Sequence, residues 1–238
     1  MKRILILLLS INVAILSYAQ GNSIPKSSKA KVQAEELPEI LPEDVKYRYP
    51  LFNGLSVSTN IFDPVMEMFK WDHANYGATV TADFHHRFFP QLSFGLGHCN
   101  QENEDNGLKY VSKAAPYFKT GMLYNFKYNE TKPENYYYVL ARVGFSKSKG
   151  DFENLKYTDG YWIDYGPETI NDQDFSCSWV ELGGGIKVKL TGPISLGWEI
   201  SLRPMLSNGN NKYGKPYFVP GRGTSSFCFE FNLSYDIF

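Results

Sequence analysis

The last fourteen residues alternate without a slip until the final one. Phe227, Phe229, Phe231, Leu233, Tyr235 and Ile237 fall on one parity; Ser226, Cys228, Glu230, Asn232, Ser234 and Asp236 fall on the other. Successive strand side chains point to opposite faces, so this is one long strand, greasy on one side and polar on the other. Seven similar segments precede it, at about Leu51–Ile61, Tyr76–His86, Leu92–Gly97, Phe118–Phe126, Tyr137–Ser146, Val180–Val188 and Ile194–Arg203. Each approaches the ~9–11 residues that a tilted membrane strand requires. The expected fold is all-β: an eight-stranded antiparallel up-and-down transmembrane β-barrel.

The N-terminus supplies an address. Lys2-Arg3 is positive, Ile4–Leu16 is apolar and Ser17-Tyr18-Ala19 is a small-x-small cleavage site, so residues 1–19 read as a signal peptide and the mature chain as starting at Gln20. No Cys at the cleavage point offers a lipid anchor. Residues 20–50 hold four prolines, a basic patch (Lys26, Lys29, Lys31) and then acids, which predicts a flexible periplasmic arm before a barrel over 51–238. With 24 basic and 25 acidic residues the charges nearly cancel, and nothing recommends nucleic acid as a partner. Cys99, Cys177 and Cys228 are odd in number and lack zinc spacing, so they read as small lumen or loop-edge residues.

Connections add a second constraint. Phe62–Asn75, His98–Ala115, Lys147–Phe175 and Met205–Thr224 are long and polar, whereas Arg87–Pro90, Lys127–Asn135 and Leu190–Pro193 are shorter. Long outer loops and short periplasmic turns are the habit of outer-membrane barrels. Phe88, Phe89, Tyr124, Phe126, Tyr128, Tyr136, Tyr235 and Phe238 gather at the predicted inner rim as an aromatic girdle; Tyr76, Phe145, Trp179 and Phe227 are candidates for the outer one.

The apolar faces carry no charge, and the polar faces are rich in Gly and Ser, which suits the narrow interior of an eight-stranded barrel. With the apolar faces outward, Asp83, His85, Lys119, Arg142, Glu181, Lys187, Glu199, Arg203 and Glu230 point inward as a network of paired lumen charges. A plug of paired side chains is expected over a conducting pore.

No catalytic constellation emerges. Asp83 and His85 share a strand face with no nucleophile beside them, and His85 and His98 fall at opposite ends of their strands. The spacing His-x-Ser of a lipid-deacylating barrel family is absent. No metal site and no cofactor are expected.

The whole mature chain resembles small outer-membrane β-barrel proteins of Bacteroidota whose function is uncharacterised, and in architecture the OmpA transmembrane domain and OmpX. That resemblance implies residence in a Gram-negative outer membrane, contact with its lipids and delivery by barrel-assembly machinery. It also implies that the terminal aromatic, Phe238, is the assembly signal, although Phe238 stands out of phase with Tyr235 and Ile237. No OmpA-type peptidoglycan-binding domain is expected to follow. The expected role is structural or interactive, with outer loops or arm meeting another envelope protein; a small pore or a lipid-modifying enzyme are the rival classes.

Overall fold

Period-two patterning produces strands throughout, and they pair antiparallel. The structure, a computed structural model, describes residues 48–103, 107–129, 134–159, 163–208 and 215–237, with the side chains of 155–167 left aside. The signal segment, residues 20–47 of the arm and Phe238 lie outside them. The elements are β1 (Phe52–Asn60), α1 (Phe62–Met68), β2 (His73–Phe84), β3 (Phe88–Glu102), β4 (Lys109–Tyr124), β5 (Asn135–Asp159), β6 (Ile163–Thr191), β7 (Ile194–Leu202), β8 (Met205–Ser207) and β9 (Phe227–Asp236). Each strand from β1 to β7 pairs with the next, β7 pairs with β9, and β9 returns to β1, so the nine-stranded sheet closes on itself as a ring. The short β8 continues alongside β6 beyond β7. The eight alternating segments correspond to β1–β7 and β9.

One end of the ring carries tight turns. Gly192-Pro193 joins β6 to β7, with Gly192 at φ 52°, a conformation that favours glycine. Between β2 and β3 the turn is His85–Arg87, earlier than the expected Arg87–Pro90, and both histidines take positive φ. At the other end the expected loops are largely strand. β5 and β6 run on through most of Lys147–Phe175, paired at Lys149↔Asp174 and Gly150↔Gln173, and β3 and β4 pair out to Glu102↔Lys109. Along these stretches the apolar alternation of the sequence fades while pairing continues. The fourth loop differs again. Phe218, Val219 and Pro220 are buried inside the ring, where the Gly221 N–H donates to Asn75 Oδ1 at 2.7 Å.

The interior is more aromatic than the Gly-rich inner faces suggest. Trp179 is fully buried, not at the outer rim; Phe89 and Tyr136 pack inside with Leu123, Tyr138 and Leu140, not in the inner girdle. Glycines make this possible by serving as flat seats. A Cβ on Gly144 would stand 2.2 Å from the Trp179 ring, and one on Gly185 would stand 2.6 Å from Tyr138. Gly144→Leu is therefore expected to destabilise by about 1–3 kcal/mol through overpacking, with Trp179 fluorescence shifted in the folded variant. Denaturant titration against the parent checks it, and an unchanged midpoint would contradict the seating role.

Candidate functional site

Strand parity brings six of the charged residues expected inside onto the enclosed face at mid-height. Lys119 comes from β4, Arg142 from β5, Glu181 from β6, Glu199 from β7, Arg203 from just beyond β7 and Glu230 from β9. Adjacent strands set them side by side: Arg142 is registered opposite Glu181, and Glu199 opposite Glu230. All six are buried.

Glu181 is the hub. Its carboxylate meets Arg142 Nε at 2.8 Å, Arg203 Nε at 3.1 Å and Lys119 Nζ at 3.3 Å, and it accepts the Trp179 indole N–H at 3.0 Å. Arg142 also pairs with Glu199, and Arg203 with Glu230. Lys119 lies 3.8 Å from Glu230. Three cations face three carboxylates, so the group is neutral as a whole. Buried charges persist when paired and hydrogen-bonded in this way. Gln91 and Tyr138 extend the network; Gln91 accepts from Arg142 at 3.4 Å and donates to Thr81 at 3.0 Å.

The other three residues of the expected network lie elsewhere. Lys187 pairs with Asp236 at 2.6 Å near the turn end, where Ser195 also donates to Asp236 at 2.7 Å. Asp83 accepts from Asn53 at 2.9 Å and bonds the buried His86 ring at 2.9 Å, while His85 is exposed. The inward histidine is thus His86, because the strand ends at Phe84 and the turn reverses the phase.

Above the ion cluster, toward the loop end, Val219 packs with Phe175, Cys177 and Trp179, and Phe218 packs with Cys99 and Tyr110. Beside the charges, on the side of β1, β2 and β9, lies a polar cavity of about 50 Å³ lined by Ser56, Thr81, Gln91, Lys119 and Ser234 among others. Below the aromatic layer a vestibule of about 440 Å³ opens at the turn end, lined by Asp83, His86, Lys187 and Asp236 among others. The three cysteines are free thiols.

Chemically the cluster is saturated. Each carboxylate already faces at least one cation, which leaves none disposed as a free general base. Among the described residues no three His, Cys, Asp or Glu are grouped to hold a metal. Parity alone could have found Gln91, Tyr138 and Trp179, which share a face with Ser93, Arg142 and Glu181. Asn75 shares its parity with Thr79 and Thr81 but falls in a stretch read as loop, and the buried turn at Phe218–Arg222 had no alternation to reveal it.

A family model described as a domain of unknown function (DUF6048) matches residues 1–238. No curated protein and no solved structure matches the chain.

Proposed function

The chain belongs to the DUF6048 family, and we propose that its ring is a transmembrane β-barrel of the Gram-negative outer membrane, filled rather than open, with a structural or interaction role in the envelope. The observation that carries this is the band of large apolar side chains on the outside of the ring. Leu92, Phe94 and Leu96 of β3 are each more than half exposed, as are Leu182, Leu202 and Phe227. Burying a side chain of this kind is worth roughly 1.5–3 kcal/mol, and soluble proteins rarely leave such a continuous patch in water. Lipid is the solvent that suits it. At the turn end, Arg87 stacks over Phe88, Tyr124 and Tyr128 at 5.0–5.3 Å, a pairing suited to a membrane interface.

On this reading residues 1–19 are a cleaved signal, the chain is of the same architectural kind as the small barrels of Bacteroidota, OmpA and OmpX, and assembly machinery inserts it. The filled interior argues against a pore. An interaction role draws on the long β5–β6 hairpin. On β6, Glu168, Asp172 and Asp174 are exposed, and among the described residues that strand pairs only with β5 between Glu168 and Ser176.

The test combines fractionation, N-terminal sequencing and planar-bilayer recording. The expected result is a protein starting at Gln20, recovered with outer membranes, showing at most small and rare conductance steps. Recovery in the soluble periplasm would overturn membrane residence, and a large steady conductance would overturn the filled interior. Affinity purification in mild detergent, repeated with the hairpin shortened, tests the interaction role; a protein that comes down alone in both forms removes it.

A further inference from the structure

The ring wall has a notch. β1 stops at Asn60, so its ladder with β9 ends at Asn60↔Asn232, followed by a single bond from the Ile61 N–H to the Phe231 carbonyl at 2.9 Å. Its ladder with β2 ends at Thr59↔Ala78. Among the described residues, β2 beyond that level pairs only with β3, and β9, from Phe227 to Glu230, pairs only with β7. In place of a continued β1, the chain turns into α1, whose Phe62 packs against Phe229 and Phe231 at 6.0 and 6.1 Å.

A cavity of about 270 Å³ lies at this notch. Phe227, Cys228 and Phe229 all line it, although Phe227 and Phe229 share one face of β9 and Cys228 the other, so it sits at the strand edge. Its outer lining is aromatic, with Phe62 and Trp71. Its inner lining includes Arg222, which is only 9 % exposed, and Asp63, whose carboxylate is turned to Asn75 and accepts from its backbone N–H at 3.2 Å and its side-chain amide at 2.9 Å. The Arg222 guanidinium donates to the Arg203 carbonyl at 2.9 Å and to Ser226 Oγ at 2.8 Å, both neutral acceptors. Among the described residues no carboxylate pairs with it, whereas Arg203 beside it is paired with Glu181 and Glu230. Burial, and next the neighbouring Arg203, lower the Arg222 pKa from its ordinary range. A buried cation without a counter-charge is costly, and an anion in the cavity would relieve that cost.

We propose that the notch is a binding site for an amphiphile with a phosphate head group: the head enters beside Arg222, and the acyl chains lie outside along Phe227, Phe229 and Trp71. The lipid part of this assignment rests on the membrane-barrel reading above. Arg222 supplies charge and directed N–H donors, the geometry that suits a phosphate oxygen. Trp71 supplies an amphipathic ring at the boundary between head and chains.

The experiment is native mass spectrometry of the full chain, folded in dodecyl maltoside, with dioleoylphosphatidylglycerol, dioleoylglycerol or inorganic phosphate added separately. One phosphatidylglycerol per chain is expected at concentrations where dioleoylglycerol leaves the protein bare. Arg222→Gln should weaken that binding about tenfold or more, and Arg222→Lys should weaken it less. Trp71→Ala, which leaves the buried arginine untouched, should weaken phosphatidylglycerol and spare inorganic phosphate. Equal binding of the two lipids, or no effect of either Arg222→Gln or Trp71→Ala, would overturn the proposal. Phosphate alone binding as tightly as phosphatidylglycerol would assign the site to a free anion and overturn the amphiphile. Outer-membrane recovery is measured separately, so a failed lipid assay on a membrane-resident protein removes this site alone.

Discussion

Replacing Glu181 by alanine is expected to lower the unfolding free energy by about 3–5 kcal/mol, the usual penalty for breaking a buried ion pair from one side. Glu181 is fully buried and faces Lys119, Arg142 and Arg203 together, so its loss leaves three cations sharing two carboxylates. The Trp179 N–H loses its acceptor in the same step. Glu181→Gln should cost less than alanine, because an amide oxygen still accepts that bond. Lys187→Ala should cost at most about 1 kcal/mol, since its partner Asp236 is partly exposed and water can serve both groups. A balanced double change, Arg142→Met with Glu199→Leu, should be milder than Glu181→Ala because it removes a charge of each sign. Urea unfolding of the variants in lipid vesicles checks the order. Equal, small effects at Glu181 and Lys187 would contradict the hub.

The second large effect lies on the opposite face of the same wall. Phe94→Arg is expected to cost about 2–4 kcal/mol if its surroundings are mid-bilayer lipid. Phe94 is 57 % exposed and points away from the interior, so in water the same change would be close to neutral. Ser176→Arg, on the exposed hairpin beyond the apolar band, is the control and should change stability by a few tenths of a kcal/mol. Measured in vesicles, a large gap between the two substitutions supports lipid around the ring. The same near-zero cost at both would place Phe94 in water and sink the membrane assignment.

Period-two alternation carries far more of this fold than composition does. It marks the strands from Phe52 to Asp236 and assigns Arg142, Glu181, Glu199 and Glu230 to one face, because a residue's side of a sheet depends only on counting. Counting fails where the backbone leaves the extended state. His85 and His86 both take positive φ, and the inward position passes from one to the other. Composition misleads in a different way. Trp179 looks like a rim residue by type, yet its parity with Glu181 points it inward, onto the open seat at Gly144. The buried run from Phe218 to Arg222 has no period, and its place depends on partners such as Asn75, 146 residues away along the chain from Gly221. The break between β1 and β9 is likewise invisible locally, since it arises from the unequal lengths of three strands.

The buried turn at Phe218–Arg222 immediately precedes the strand that closes the ring. This one stretch of chain thus fills the mouth, covers the ion cluster and joins the first strand to the seventh. Without β9, Glu230 is missing from the cluster and Lys119, Arg142 and Arg203 outnumber their carboxylates. The sheet without β9 also has two bare edges, at β1 and β7. Long-range pairings of this kind make folding slow. A single element, β9, thus completes the wall and the charge balance together.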